Sequence, residues 1–127
     1  MAFRYFNPNP SRRDVNDCTV RALCRVTGLP WDSVHARLCD VSRQLDDMPE
    51  SDRAFGAVLH ALGFIRHVVP DLCPDCYTVT RFADDYPSGT FVLALSGHVV
   101  TVVDGDWYDT HDCADKNIVF VWAHERN

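Results

Sequence analysis

A cysteine stands directly behind two residues that favour the start of a helix. In the stretch VNDCTV, Cys18 follows Asn16 and Asp17 and precedes a run with helical periodicity. The first turn of a helix carries unpaired backbone N–H groups and the positive end of the helix dipole, and both favour a thiolate. Cys18 is therefore a candidate nucleophile, although a cysteine at such a position is more often an ordinary buried residue.

A second informative stretch is GHVVTVVDGDWYDT, whose pattern predicts two strands joined by a tight turn. Asp104 and Gly105 lie between two β-rich runs and are typical of a two-residue type I′ hairpin turn, which requires positive φ at both positions. If these two residues form the turn, Val103 pairs with Asp106. The register of the whole hairpin can then be counted outward from this pair.

That register places a histidine beside a carboxylate. His98 falls opposite His111, and Asp109 is the diagonal neighbour of His98 on the same face of the ladder. Asp112 is a rival acid, but strand alternation would turn its side chain to the opposite face. Taken singly, these residues are more often structural. Together with Cys18, however, they supply a nucleophile, a base and a group that orients the base.

The elements that would position these residues separate into a helical first half and a strand-rich second half. Apolar periodicity predicts helices in the run after Cys18, which ends at Gly28, in LPWDSVHARLCDV, and in SDRAFGAVLHALGF, where Ser51 is the cap. Short β-branched or aromatic runs then predict strands in FIRHVV, YTVTRF, TFVLAL, HVVTVV, DWYDT and NIVFVWA. The pattern indicates an α+β fold with N-terminal helices packed on a C-terminal antiparallel sheet.

Composition limits the possible partners. The chain has 127 residues, 46% of them hydrophobic, which predicts a single domain over residues 1–127. Acidic residues outnumber basic ones by 18 to 12, and the basic residues form no long run, so we expect no binding to nucleic acid. We also expect no membrane segment and a cytoplasmic location, because the sequence shows neither a long apolar stretch nor a secretory signal.

Most of the six cysteines are expected to be reduced thiols in that compartment. Cys73 and Cys76 have the spacing of half a zinc site, which His111 and Cys113 could complete. A turn that carries two incidental thiols is the simpler interpretation. We therefore predict no metal and no other cofactor.

The residues around the candidate nucleophile and the hairpin resemble the papain-like superfamily of cysteine peptidases, especially small bacterial and phage members akin to the bacteriocin-leader (C39-like) and NlpC/P60 groups. NDCTVRAL and GHVVTVVDGDWYDT carry this resemblance, which extends from Asn16 to about Trp122. It implies a papain-like fold in which Cys18 is the nucleophile, His98 the general base and acid, and Asp109 the residue that orients His98. The implied activity is hydrolysis of a peptide, isopeptide or related amide in a peptide or protein substrate.

The sequence departs from the family at the oxyanion site. The family usually carries a glutamine shortly before its cysteine, and here Arg12 occupies that place. The oxyanion donors would then be the Cys18 N–H group and the Asn16 side chain, with Asn9 or Arg12 as weaker candidates. Trp107 is a candidate for lining the substrate site or for packing beneath it.

Two alternatives to hydrolysis follow from this departure and from the order of the three residues. The missing glutamine favours a catalytically inactive papain-like module, such as a phage-encoded protein that binds a host protein. The order of cysteine, histidine and aspartate also suits transglutaminase-like enzymes, which pass the acyl group to an amine.

Overall fold

The chain folds into an α+β arrangement. The computed structural model describes residues 1–70 and 76–127, so Cys73 of the predicted Cys73/Cys76 pair lies outside the described residues. Within the described ranges, four helices and six strands follow one another along the chain. In order, they are β1 (Phe3–Tyr5), α1 (Cys18–Thr27), α2 (Trp31–Gln44), α3 (Asp52–Ala61), β2 (Phe64–Val68), α4 (Val79–Asp85), β3 (Thr90–Leu95), β4 (His98–Val103), β5 (Asp106–Asp109) and β6 (Ile118–His124).

The strands form one mixed sheet in the order β1-β5-β4-β3-β6-β2. Every neighbouring pair is antiparallel except β1 and β5, which are parallel and place Tyr5 beside Asp109. The prediction of a purely antiparallel, C-terminal sheet is therefore wrong at this edge. Strand β1 has only three residues, too few to show an alternating pattern in the sequence. It forms by pairing with a strand about a hundred residues later, which local sequence cannot reveal.

One predicted strand is a helix. The stretch YTVTRF enters α4, and the Thr78 side chain caps this helix by accepting a hydrogen bond from the Arg81 N–H group at 3.3 Å. Val79, Phe82 and Ala83 are buried, which is the spacing of a helical face. The β-branched residues at its start favoured the strand interpretation. The other five predicted strands are confirmed as β2 to β6.

The sheet is covered on both faces. On one face, helices α1 to α3 pack on inward residues that include Val92, Ala94 and Val99. On the other face, α4 and neighbouring segments cover Leu93 and Val100. Because successive residues of β3 and β4 point into different buried clusters, these two strands are held from both sides.

Helix α1 is fixed against strand β4. Its apolar face, with Val20 and Leu23 buried, packs in the first of these clusters, and Gly28 ends it in the left-handed conformation at φ 74°, as predicted. The buried Thr101 hydroxyl of β4 donates a hydrogen bond to the Ala22 carbonyl at 3.3 Å. These contacts keep the start of α1 near the start of β4.

None of the helices in residues 1–70 and 76–127 is long and apolar enough to cross a bilayer.

Candidate active site

The β4–β5 hairpin has the predicted turn and register. Asp104 and Gly105 have φ values of 50° and 82°, as a type I′ turn requires. Val103 pairs with Asp106, and two further residue pairs continue the ladder away from the turn. The hairpin therefore brings the first residue of β4 next to the last residue of β5.

Those two residues are His98 and Asp109, and their side chains are hydrogen-bonded. The Nε2 atom of His98 lies 2.5 Å from Oδ2 of Asp109. Asp109 is fully buried, whereas His98 retains a partly exposed edge. Because the N–H at Nε2 donates to the carboxylate, the Nδ1 atom of the ring is left to interact with another partner.

That partner is Cys18, the first residue of α1. The half-buried thiol borders the same two cavities as His98. Burial opposes ionisation, but the interactions with His98, the Val99 backbone and the charge of Arg21 outweigh it and lower the pKa of Cys18 below its ordinary value. The structure thus brings together the three residues that the sequence singled out for catalysis.

The same contacts favour the charged form of the imidazole. The hydrogen bond to Asp109, followed by that to Cys18, raises the pKa of His98 to about 9 against the opposing effect of burial. Burial alone would raise the pKa of Asp109. The hydrogen bond and charge of His98, the Thr110 N–H group and Arg21 outweigh burial and hold the pKa of Asp109 below its ordinary value. A thiolate, an imidazolium and a carboxylate can therefore coexist in this site.

A buried arginine completes the group, and the sequence analysis missed it. Arg21 is 3% exposed, and its two terminal nitrogens are divided between two carboxylates. Nη1 lies 2.9 Å from Oδ1 of Asp109, and Nη2 lies 2.8 Å from Oδ1 of Asp17. The second Asp17 oxygen accepts a hydrogen bond from the Trp31 indole at 2.8 Å. The spacing of four residues between Asp17 and Arg21 was the available sequence signal for the Asp17–Arg21 ion pair.

Asp17 therefore does not act as the predicted type of helix cap. Its side chain makes no capping hydrogen bond to α1, because both oxygens are directed to Arg21 and Trp31. The N–H groups of the first turn, including that of Cys18, have no acceptor within the helix. They are consequently available to a developing negative charge close to the thiol.

The predicted oxyanion and substrate residues fall in different places. Asn16 is exposed and lines the cleft around Cys18. Arg12 is exposed in a left-handed backbone conformation at φ 60°, and its guanidinium donates to the Asn7 carbonyl at 3.4 Å. Asn9 is buried and accepts hydrogen bonds from Ser11. Of these candidates, only Asn16 lines the cleft within the described part of the chain.

Trp107 packs beneath the site. It is 6% exposed, belongs to the cluster that α4 covers, and donates a hydrogen bond from its indole to Asp112 at 2.8 Å. Strand alternation does not decide the direction of the Asp112 side chain, because β5 ends at Asp109. Asp112 is engaged by Trp107 and by the Ala114 N–H group.

Two cavities that open to solvent border the Cys18 and His98 side chains. A cavity of about 370 Å³ borders the pair along the β3–β4 turn, with Asn16, Glu50, Gly97 and Phe120 among its lining residues. A second cavity of about 270 Å³ borders it on the side of His111 and Thr110. An extended chain could therefore cross Cys18 with segments on both sides of the sulfur.

The environments of Cys24, Cys39 and Cys113 differ from that of Cys18. Burial, followed by the charge of Asp17, raises the pKa of Cys24 to about 11. Burial and the neighbouring Asp109 raise the pKa of Cys113 to about 12. Cys39 lies on α2 with its sulfur 3.8 Å from Nδ1 of His35, so it is a second cysteine near a histidine. It provides a natural internal comparison for Cys18.

Comparisons of the sequence with family models and with curated proteins, and of the structure with solved structures, found no significant match. Any inference about function therefore depends on the geometry of this chain.

Proposed function

We propose that the protein is a papain-like thiol hydrolase that cleaves a peptide, isopeptide or related amide bond. The observation that carries this proposal is the placement of Cys18 and His98 on the same cleft, with His98 hydrogen-bonded to the buried Asp109. The position of each of these three side chains suits its proposed catalytic role. The thiol faces the cleft, the imidazole joins the thiol to the acid, and the buried acid has no contact with solvent.

The first chemical stage is acyl transfer to sulfur. The Cys18 thiolate attacks the substrate carbonyl carbon, and the negative charge that develops on oxygen is stabilised by the Cys18 N–H group and the Asn16 side chain. When the tetrahedral intermediate collapses, the carbon–nitrogen bond breaks and the leaving amine takes a proton from Nδ1 of His98. The products of this stage are the free amine and a thioester on Cys18.

The second stage returns the enzyme to its starting state. His98, now neutral, removes a proton from a water molecule that attacks the thioester carbon. The carbon–sulfur bond breaks, the carboxylic acid leaves, and the Cys18 thiolate and the His98 imidazolium are restored. Asp109 keeps its charge throughout and holds the ring with Nδ1 towards the sulfur.

The buried charges support an active enzyme over an inactive binding module. Burial of Asp109, Arg21 and Asp17 costs free energy that ion pairs only partly recover, and an apolar core of similar volume is often at least as stable. A module that used only its surface would gain nothing from this arrangement. An enzyme gains a fixed orientation for His98.

The proposal is tested with an irreversible peptide electrophile, such as a set of peptidyl vinyl sulfones, and detection of the adduct by mass spectrometry. We expect one adduct per chain, on Cys18, and none in Cys18→Ala. Cys39→Ala is the matched control, because Cys39 also contacts a histidine, and this variant should label fully. Labelling of Cys39 in preference to Cys18 would reject the proposal in favour of an inactive module.

The fate of the acyl group distinguishes hydrolysis from transfer. A peptide substrate found by screening would be incubated with and without an added primary amine, and the products identified by mass spectrometry. Hydrolysis predicts a free carboxylate as the main product in both reactions. An amide formed with the added amine as the main product would assign the protein to the transglutaminase-like alternative.

A further inference from the structure

A third titratable side chain lies against the His98–Asp109 pair and has no part in the proposed reaction. His111 is exposed beyond the end of β5, and its ring centroid lies 5.1 Å from that of His98. One possible ligand atom from each of His98, Asp109 and His111 lies within 4.8 Å of the other two. Two imidazoles and one carboxylate therefore lie close together beside the cleft.

We propose that these three residues form an inhibitory binding site for a zinc-class transition-metal ion. Imidazole nitrogen with one carboxylate oxygen is a ligand set that Zn²⁺ accepts, whereas Mg²⁺ and Ca²⁺ prefer oxygen ligands. Bonds of about 2.0–2.1 Å in a tetrahedral site place ligand atoms about 3.3 Å apart. To reach this spacing, the 2.5 Å separation of His98 Nε2 and Asp109 Oδ2 must widen as the ion replaces the shared proton. The exposed His111 ring can rotate towards His98, because its hydrogen bond with the Thr110 hydroxyl is long at 3.4 Å.

The local charge permits a divalent cation despite the nearby arginine. Arg21 contributes one positive charge, and its two carboxylate partners, Asp17 and Asp109, contribute two negative charges. With His98 charged the group is neutral, and it keeps one uncompensated negative charge once metal binding has displaced a proton from His98. Arg21 uses Oδ1 of Asp109, which leaves Oδ2 on the side of His98. The cavity of about 270 Å³ beside His111 gives the ion access and leaves room for a water ligand.

Occupancy of this site would prevent base catalysis. An ion bound at Nε2 of His98 replaces the proton that this atom shares with Asp109, and one proton is released if the imidazole was charged. The metal-bound ring keeps its remaining proton on Nδ1, and loss of that proton would leave an imidazolate, so the ring is a much weaker proton donor to the leaving amine than an imidazolium. This inhibitory consequence rests on the proposed function, whereas metal binding itself does not.

The experiment measures Zn²⁺ binding by isothermal titration calorimetry on the full chain with Cys18→Ala, which excludes the thiol as a ligand. We expect a zinc-binding event that weakens at least about tenfold when His111→Ala is added. The added change His60→Ala, of an exposed histidine on α3, should leave binding unaltered. Mg²⁺ should give no comparable signal. Equal zinc affinity with and without His111 would overturn the proposal, as would loss of the binding event in Cys18→Ala relative to the wild type.

Alkylation of Cys18 by iodoacetamide in the wild type tests the inhibitory consequence. Zinc should slow the reaction, EDTA should restore it, and His111→Ala should be insensitive to zinc. If zinc binds through His111 but Cys18 is unreactive even with EDTA, the metal site stands and the proposed function fails. If Cys18 is reactive and zinc affinity does not depend on His111, the metal site fails and the proposed function stands.

Discussion

Arg21 and Asp109 form a buried ion pair in which the arginine occupies one carboxylate oxygen and leaves the other to His98. Because Cys18 and Arg21 both belong to α1, one helix carries the nucleophile and also holds the acid beside His98. The position of Asp109 is thus fixed relative to Cys18 from both directions. Arg21 is a positioning residue that acts through Asp109.

Replacement of Arg21 by methionine should destabilise the fold strongly. The change leaves Asp17 and Asp109 buried without their shared cation, and loss of one partner from such a network costs about 3–5 kcal/mol. Chemical denaturation would measure the free energy of unfolding. Arg21→Lys should recover only part of the loss, because one ammonium group cannot reproduce the planar contact with two carboxylates.

Arg25→Met is the matched control for the Arg21 variants. Arg25 lies one turn further along α1, where its guanidinium lies over the Tyr108 ring at 4.3 Å. Arg25 and Tyr108 are both partly exposed, and loss of a cation–π contact near the surface costs about 0.5–1 kcal/mol. Similar destabilisation by the Arg21 and Arg25 changes would show that the buried pairs have little structural importance.

Asp109→Asn should separate orientation of the imidazole from stability. The asparagine oxygen can still accept from Arg21 and from the Thr110 N–H group, so the fold should be retained. Its amide would donate to Nε2 of His98 and favour the wrong tautomer, which should lower turnover on the order of 10²- to 10⁴-fold. Asp109→Ala should in addition destabilise the fold, because it removes the partner of a buried arginine.

Asp112→Asn is the control for these acid variants. Asp112 accepts from the Trp107 indole through an oxygen that asparagine also supplies, so we expect nearly unchanged turnover. Loss of turnover in Asp112→Asn together with full activity in Asp109→Asn would reverse the assignment of the two acids.

The parts of the site whose geometry depends on a turn or on a helix start could be predicted from the sequence. The Asp104-Gly105 turn fixes the hairpin register, which places His98 beside Asp109, and the helix-start pattern locates Cys18. Arg21 was missed because an arginine in a helix normally reaches solvent, and its burial depends on Asp109, eighty-eight residues later in the chain. Strand β1 was missed for the same reason, since it pairs with the distant strand β5. Helix α4 was missed because its β-branched start resembled a strand.

Gly105→Ala should destabilise the hairpin by about 1 kcal/mol. The residue has φ 82°, a conformation that alanine adopts only with strain. The new Cβ would lie 3.0 Å from Cγ of Met1, but that flexible side chain can move. Asp104→Asn is the control, because asparagine tolerates φ 50° and can accept the Gly89 N–H hydrogen bond that Asp104 accepts. Thermal unfolding would compare the two, and equal stability would contradict the strain argument.

The His98–Asp109 contact should make stability depend on pH in a defined direction. The pKa of His98 is raised from 6.5 in the folded protein, so its contribution is complete below about pH 6.5 and is lost as the pH rises through its folded value. The pKa of Asp109 is lowered, so its contribution is present above about pH 3.8 and is lost as the pH falls through its folded value. The contact should therefore stabilise most between these limits.

This pH dependence is measured on Cys18→Ala with and without His98→Ala, in the presence of EDTA. The absence of the thiol removes its own titration from both proteins. The difference between their free energies of unfolding should shrink as the pH rises above about 6.5. A difference that stays constant from pH 6 to 9 would contradict a charged His98 in the folded state.

The most direct test of the account is the rate at which iodoacetamide alkylates Cys18 at pH 7, resolved by mass spectrometry for each cysteine, in the wild type and in His98→Ala with EDTA present. We predict that Cys18 reacts faster than Cys24, Cys39 and Cys113 in the folded wild type. Its rate should fall at least about tenfold in His98→Ala, because the thiolate loses its hydrogen bond and counter-charge. An inert Cys18, or an equal rate in the two proteins, would contradict the claim that His98 activates this thiol.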